Sequence, residues 1–382
     1  MAHIPYGKQN ITKEDINAVT ATLQSDYLTQ GPKINEFEDE FAKYIGSKYA
    51  VAVSNGTAAL HLSALALSVN NKSRVITSPI TFSASANCIR YCGGSVYFAD
   101  IDSKKYTLDI DRVQELIETH PKGYFSGIIP VDFAGLPVNL EQFRELANEH
   151  DLWIIEDACH APGGYFIDSR GNKHYCGNGN FADLAIFSFH PVKHIACGEG
   201  GMITTNNKVL YSKLLLLRTH GITKDPALMA QNHGGWYYEM QELGYNYRLP
   251  DINAALGLSQ LSRAEVGLKR RREIAETYYQ ALKRLPLICT APSESHAYHL
   301  YIIQTEKRLE LYNYLRAHGI YTQVHYIPVH TLPYYQQLGW AQGDFPISED
   351  YYTKCLSLPM YPSLSNEELN FVIENIIHFF NG

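Results

Sequence analysis

No stretch of this chain is apolar for long enough to cross a bilayer, which takes about 18 to 20 consecutive residues. The densest run, Val51 to Val69, is interrupted by serine, asparagine, glycine, threonine and histidine. The start, MAHIPYGKQN, shows no basic segment followed by an apolar one, so no secretory signal is expected. Basic excess is missing too. The 32 Lys and Arg against 39 Asp and Glu leave a net charge of −7, which argues against a nucleic-acid binder, since those normally carry a basic face. Seven cysteines, an odd number scattered through 382 residues, fit free thiols in a reducing cytoplasm better than a disulfide framework. Internal repeats, low-complexity tracts and a linker are all lacking.

Several common site motifs are also missing. There is no G-x-G-x-x-G, no P-loop and no G-x-S-x-G elbow. His190 and His194 are four apart, but the segment between them lacks the Glu of H-E-x-x-H. Cys88 and Cys92, and His174 and Cys176, have no partners at metal-ligand spacing, so no metal is expected.

What is present is a globular composition, 45 % hydrophobic and 19 % charged, with length enough for two or three domains. The 28 tyrosines decide little, because tyrosine packs in cores as readily as it lines sugar or nucleotide sites. Short apolar runs at 49–53, 74–77, 95–98, 127–131 and 152–155 are separated by helix-like sequence, including an Ala/Leu-rich helix at 58–68. That alternation predicts an α/β fold with a mostly parallel sheet covered by helices on both faces. Runs 184–188 and 201–205 are close enough to be locally antiparallel strands. From 251 to 284 the text reads as one long connector helix. Beyond it, 298–303, a helix at 307–318, 321–325 and a helix from about 365 predict a smaller C-terminal α/β domain. The expected division is 10–250 for the large domain and 251–382, with 1–9, for the small one.

Three segments can carry chemistry. In Leu152-Trp-Ile-Ile-Glu156-Asp157-Ala-Cys-His160 an acid closes a buried strand, where open α/β sheets bind ligands; a helix cap or a structural ion pair would look the same. In Phe187-Ser-Phe-His-Pro-Val-Lys193 a lysine follows a buried strand and precedes Gly198-Glu-Gly-Gly201. Desolvation there would lower its pKa and allow a Schiff base, although most lysines are merely solvated. In Val53-Ser-Asn-Gly56-Thr57 a strand turns into a helix through small residues that leave N–H groups free for a phosphate. A phosphate cup, a strand-end acid and a buried lysine together are what pyridoxal phosphate needs.

These residues resemble a known family. NGTAAL, EDACHA, SFHPVKH with GEGG, and GYNYRLPDINAALGLSQL are similar to the DegT/DnrJ/EryC1/StrS sugar aminotransferases, from Pro5 to about Pro362. The resemblance implies a fold-type I aminotransferase that uses pyridoxal 5'-phosphate, with pyridoxamine phosphate as the alternate form. Its substrates would be a nucleotide-linked keto-sugar and an amino-acid donor, expected to be glutamate. It further implies Lys193 as the Schiff-base lysine, Asp157 on the pyridine nitrogen and His160 beside the ring. Phe82 would stack on the other face, and Gly56, Thr57 and Ser188 would contact the phosphate. Asn246 would reach the phosphate of a neighbouring subunit, making a homodimer with shared active sites. Tyr6, the segment Asp26, Tyr27, Leu28, Thr29, and the segment Gln323, Val324, His325, Tyr326 look like the branch acting on UDP-linked 4-keto-6-deoxy-HexNAc sugars in pseudaminic acid biosynthesis, and would surround substrate. The alternative is a 3- or 4-aminotransferase on a dTDP- or GDP-linked keto-sugar. Family members that dehydrate at C3 replace the lysine with histidine; here Lys193 is present. A non-catalytic regulator would have lost Lys193 or Asp157, or gained a DNA-binding segment, and neither is seen. Two departures are Ala196-Cys197, where relatives carry hydroxyls, and an enlarged hairpin at 168–180.

Overall fold

A computed structural model describes residues 3–382. The chain opens with β1 (Ile4–Pro5), α1 (Lys13–Leu23) and α2 (Pro32–Ile45). Next come β2 (Tyr49–Val53), α3 (Gly56–Ala66), β3 (Arg74–Thr77), α4 (Ala84–Tyr91), β4 (Ser95–Phe98), β5 (Gly127–Ile129) and β6 (Trp153–Asp157). A hairpin of β7 (Tyr165–Ile167) and β8 (Lys173–Tyr175) precedes β9 (Leu184–Ser188) and β10 (Gly201–Thr205). The seven-stranded sheet has the order β2-β10-β9-β6-β5-β3-β4. Only β10 runs against its neighbours, as the closeness of 184–188 and 201–205 led one to expect.

Apolar side chains alternate between the two faces of this sheet, as the pleat requires. Val51, Val53, Val75, Ile129, Ile155, Leu184, Ile186 and Ile203 join the residues of α3 and α4 in one core. Ala52, Phe187 and Met202 pack with α2, and Ile76, Ile128 and Ile154 with a further cluster, on the other face. Helix α3 is buried nearly all round, which accounts for its lack of a polar stripe. The parallel strands all end at one rim, so Ser54, Val131, Asp157 and Ser188 are brought to the same edge.

After 205 come β11 (Ile222–Thr223), β12 (Glu239–Met240), β13 (Ile288–Cys289), β14 (Tyr301–Gln304), β15 (Ile320–Tyr321) and β16 (Cys355–Leu358). Strands β13, β14 and β16 form an antiparallel sheet. With helices Ala264–Leu282, Arg308–Ala317 and Asn366–Asn381 it builds a second core, which also takes in Ile4.

Four local expectations are corrected. The connector 251–284 is two helices, Asp251–Leu261 and Ala264–Leu282. Its break falls where Ser259, Gln260 and Arg263 gather around the buried Asp15 carboxylate of α1. The run 321–325 is not a strand beyond Tyr321; β15 pairs only with β1. The run 127–131 stops at Ile129 because Pro130 has no N–H for the ladder. Helix α3 starts two residues early, at Gly56, because Asn55 caps it by accepting the Ala58 N–H.

Candidate active site

A cavity of about 870 Å³ opens at the shared rim of the parallel strands. The start of α3 forms one wall. Gly56 and Thr57 lie in its first turn, so their N–H groups have no intrahelical acceptor. Position 56 is tight, because a Cβ there would sit 3.0 Å from Ser188 Cβ and press that side chain aside. Gly201 is more strictly constrained, since a Cβ there would fall 2.5 Å from the Asn55 carbonyl oxygen. The two glycines let β9, β10 and α3 converge until the Ser188 hydroxyl flanks the helix terminus, so that hydroxyl and free N–H donors face the cavity together.

Asp157 ends β6 on the α3 face and is 5 % exposed. Its Oδ2 accepts from Ser85 Oγ at 2.6 Å and its Oδ1 from the Cys159 N–H at 3.2 Å. Thr81 Oγ1 lies 2.8 Å from Ser85 Oγ and fixes that hydroxyl in turn. Lys193 follows β9 in a turn closed by its N–H to the His190 carbonyl. Part of its surface remains open to the cavity, while burial lowers the pKa of its amine; Cys159 and Asp157 oppose that shift and Arg271 adds to it.

His160 is buried, and its Nδ1 accepts the Ala134 N–H at 3.2 Å. Burial, then Lys193, His325 and His194, push its pKa well below the usual value, so the ring is neutral. With Nδ1 an acceptor, the proton must sit on Nε2, which lies 3.2 Å from the Tyr326 hydroxyl. That leaves the Tyr326 proton free to point into the cavity. His325 is fixed by Ser357 Oγ at 2.8 Å and packs 5.2 Å from the Tyr6 ring.

The cavity thus brings together Lys193, Asp157, His160, Gly56, Thr57, Phe82, Ser188, Tyr6, His325 and Tyr326. The other sequence-predicted residues lie outside it within a single chain. Gln323 bridges to Ser357 and Val324 packs into the small-sheet core. Asp26 to Thr29 form an exposed loop whose neighbour Gly31 is held by Asp251 Oδ2 at 2.8 Å. Asn246 is exposed and bridges to Thr219. Ser85 and His299, which line the cavity, escaped the sequence reading. A lone histidine in the apolar run 298–303 was the one available sign of His299; nothing in its spacing marked Ser85.

A second polar cluster lies behind the same strand. Glu156, on the opposite face of β6, takes the Gly177 N–H on both carboxylate oxygens at 2.9 Å. Its donor atoms, with those of Asp132 and Cys176, all lie within 4.8 Å of one another, and all three residues are buried. Burial pushes the Asp132 carboxyl up to about 6 and the Glu156 carboxyl well above its ordinary value, the Asp132 charge adding to the latter.

The model of the DegT/DnrJ/EryC1/StrS aminotransferase family matches residues 9–377. The spore coat polysaccharide biosynthesis protein SpsC of Bacillus subtilis is 39 % identical over 99 % of this chain and 97 % of its own. A UDP-4-amino-4,6-dideoxy-N-acetyl-beta-L-altrosamine transaminase of Campylobacter jejuni is 35 % identical over 98 % of this chain and 96 % of its own. Among solved structures, Helicobacter pylori PseC, an aminotransferase of pseudaminic acid biosynthesis, superposes with a TM-score of 0.89 at 30 % identity, covering 99 % of both chains. The sugar aminotransferase Spr1654 of Streptococcus pneumoniae, in its PMP form, gives 0.90 at 29 % identity and 98 % of both chains.

Proposed function

Because this chain belongs to the DegT/DnrJ/EryC1/StrS aminotransferase family, a family of pyridoxal-phosphate enzymes acting on nucleotide sugars, we propose that it transfers an amino group from glutamate to C4 of a UDP-linked 4-keto-6-deoxy-HexNAc. The observation that carries this reading is the convergence of Lys193, Asp157 and the α3 terminus on one cavity. The residues fit the cofactor: the Gly56/Thr57/Ser188 cradle for its phosphate, Asp157 for its ring nitrogen, Lys193 for its aldehyde and Phe82 at the rim for its face. When bound, the group supplies an aldehyde that captures amines and a ring that withdraws electrons from the carbon bearing them.

The chain's own contributions follow from the geometry. Lys193 Nζ, its pKa lowered by burial, gives up its proton more readily than a solvated lysine does, as a nucleophilic amine must. With the cofactor bound, Lys193 Nζ would carry the proton from the donor α-carbon to the cofactor carbon that bears the nitrogen and, in the second half of the cycle, a proton from that carbon to C4 of the sugar. Asp157 would hold the cofactor's ring nitrogen and stabilise positive charge on it, and Ser85 fixes that carboxyl through Oδ2. Tyr326, oriented by the neutral His160, presents a hydroxyl to the substrate side.

The loaded protein should convert glutamate and the UDP-linked keto-sugar into equal amounts of 2-oxoglutarate and 4-amino sugar. GDP- and dTDP-linked keto-sugars should react at least about tenfold less efficiently in kcat/KM. A preference for either would overturn the substrate, and no product from any of them would overturn the reading itself. The proposal extends to a cytoplasmic homodimer in which Asn246 completes the partner's phosphate site. Trp236, Tyr238, Met240 and Leu243, all exposed around β12, supply an apolar surface for the second copy. Mixing Lys193→Ala and Asn246→Ala chains should restore activity that neither variant has alone; failure to do so after subunit exchange would refute sharing.

A further inference from the structure

Among the described residues, His299 has one polar side-chain neighbour within hydrogen-bonding reach, and it is the lysine. Its Nε2 lies 3.5 Å from Lys193 Nζ. Its Nδ1 is buried and has no hydrogen-bond partner. The ring is locked in place, packing 4.3 Å from His160 at 37° and 5.9 Å from His194. The backbone on either side is clamped by the buried Arg271, whose Nη1 donates to the carbonyls of Tyr298, His299 and Met360.

A neutral imidazole carries one proton, so one of two arrangements holds. If the proton sits on Nδ1, that N–H is buried with no acceptor and Nε2 accepts from a charged lysine. If it sits on Nε2, the unpaired group at Nδ1 is only a lone pair and Nε2–H donates to a neutral amine. Orphaned buried N–H groups are rarer in folded proteins than under-satisfied acceptors, so the second arrangement is favoured. We propose that His299 is a positioning residue that donates its Nε2 proton to Lys193 Nζ, holding the lysine neutral and aimed into the cavity.

The proposal rests on Lys193 as the cofactor-bearing lysine and assigns what makes it ready. The charged and titratable groups around Nζ are Asp157, Cys159, His160, His194, His299, His325 and Arg271. Of these, Cys159 and Asp157 favour the charged amine and Arg271 disfavours it, while the buried histidines are neutral. His299 is the one within hydrogen-bonding distance of the amine, so its proton position decides which form of the lysine it supports. The contact is long and is expected to shorten when the cavity fills.

The test measures the free amine directly. In full-length protein stripped of cofactor, the pH dependence of Lys193 acetylation by trace acetic anhydride, read by peptide mass, gives its apparent pKa. His299→Phe keeps the packed ring and removes the donor; the pKa should rise by about half to one unit. His299→Gln, whose amide nitrogen reaches the Nε2 position, should bring it back, whereas His299→Asn, which matches Nδ1, should not. A fall or no change in the Phe variant, or equal behaviour of Gln and Asn, would overturn the assignment. If the Phe variant does not fold, the Gln and Asn pair decides alone. Because labelling needs no turnover, a negative result here is separable from failure of the aminotransferase reading, which would show as absent product in the wild type.

Discussion

Glu156 and Asp157 are adjacent acids on one strand, and the pleat sends them to opposite faces of the same sheet. Asp157 meets a hydroxyl, a backbone N–H and an open cavity. Glu156 meets another carboxyl, a thiol and the Gly177 N–H in a closed interior. On the closed side, burial pushes both carboxyls toward the neutral form, Asp132 up to about 6 and Glu156 well above its ordinary value. On the open side, fixed donors hold a carboxylate ready for a positive partner. The same carboxyl chemistry meets a closed interior on one face and an open cavity on the other; what separates them is the company each keeps.

The comparison can be broken in several ways. Lys193→Ala removes the amine of the machinery face and should lower turnover by more than about 10⁴-fold while the fold persists; readily measured turnover would remove Lys193 from its role. Asp157→Asn should cost about 10² to 10⁴-fold in kcat. Glu156→Gln, which mimics a protonated carboxyl, should stay within about threefold because no reacting charge faces it. If the two variants are equally impaired in steady-state kinetics, the division between faces is wrong.

Acid should also separate them. His160, His194 and His299 have pKa values held well below the usual one, and His296 and His325 are lowered to about 3, in each case chiefly by burial. Stability from burying them neutral is complete above the free imidazole value of about 6.5 and is lost as pH falls from there, by up to about 1.4 kcal/mol per pH unit for each. Asp132 has the opposite sign. Raised to about 6, it contributes below its unfolded value and loses that contribution as pH rises through 6. Asp132→Asn keeps an acceptor for the Val138 N–H and removes the buried ionisable group. It should gain stability relative to wild type between pH 4 and 7; urea midpoints that shift the other way would contradict the raised Asp132 pKa.

The large sheet was legible because apolar runs of four or five residues, punctuated by glycine and proline, leave few alternatives. Asp157 and Lys193 were legible for the same reason, since each closes such a run. Ser85 and His299 were not: they reach Asp157 and Lys193 across 72 and 106 residues, and no local pattern encodes that meeting. The helix break at Ser262–Arg263 was hidden because its surroundings are good helix formers; only the gathering of Gln260 and Arg263 around Asp15 marks it. Asn246 and the 26–29 loop show the opposite limit, for their motifs were plain while a single chain leaves them outside the cavity.

The most direct test is to load the protein with pyridoxal phosphate, reduce it with borohydride and map the modified peptide. A single cofactor-bearing residue at Lys193, absent when glutamate has first converted the cofactor to its amine form, is the expected result. Modification of another lysine, or none despite bound cofactor, would contradict the central claim that the buried amine beside His299 is the one that does the chemistry.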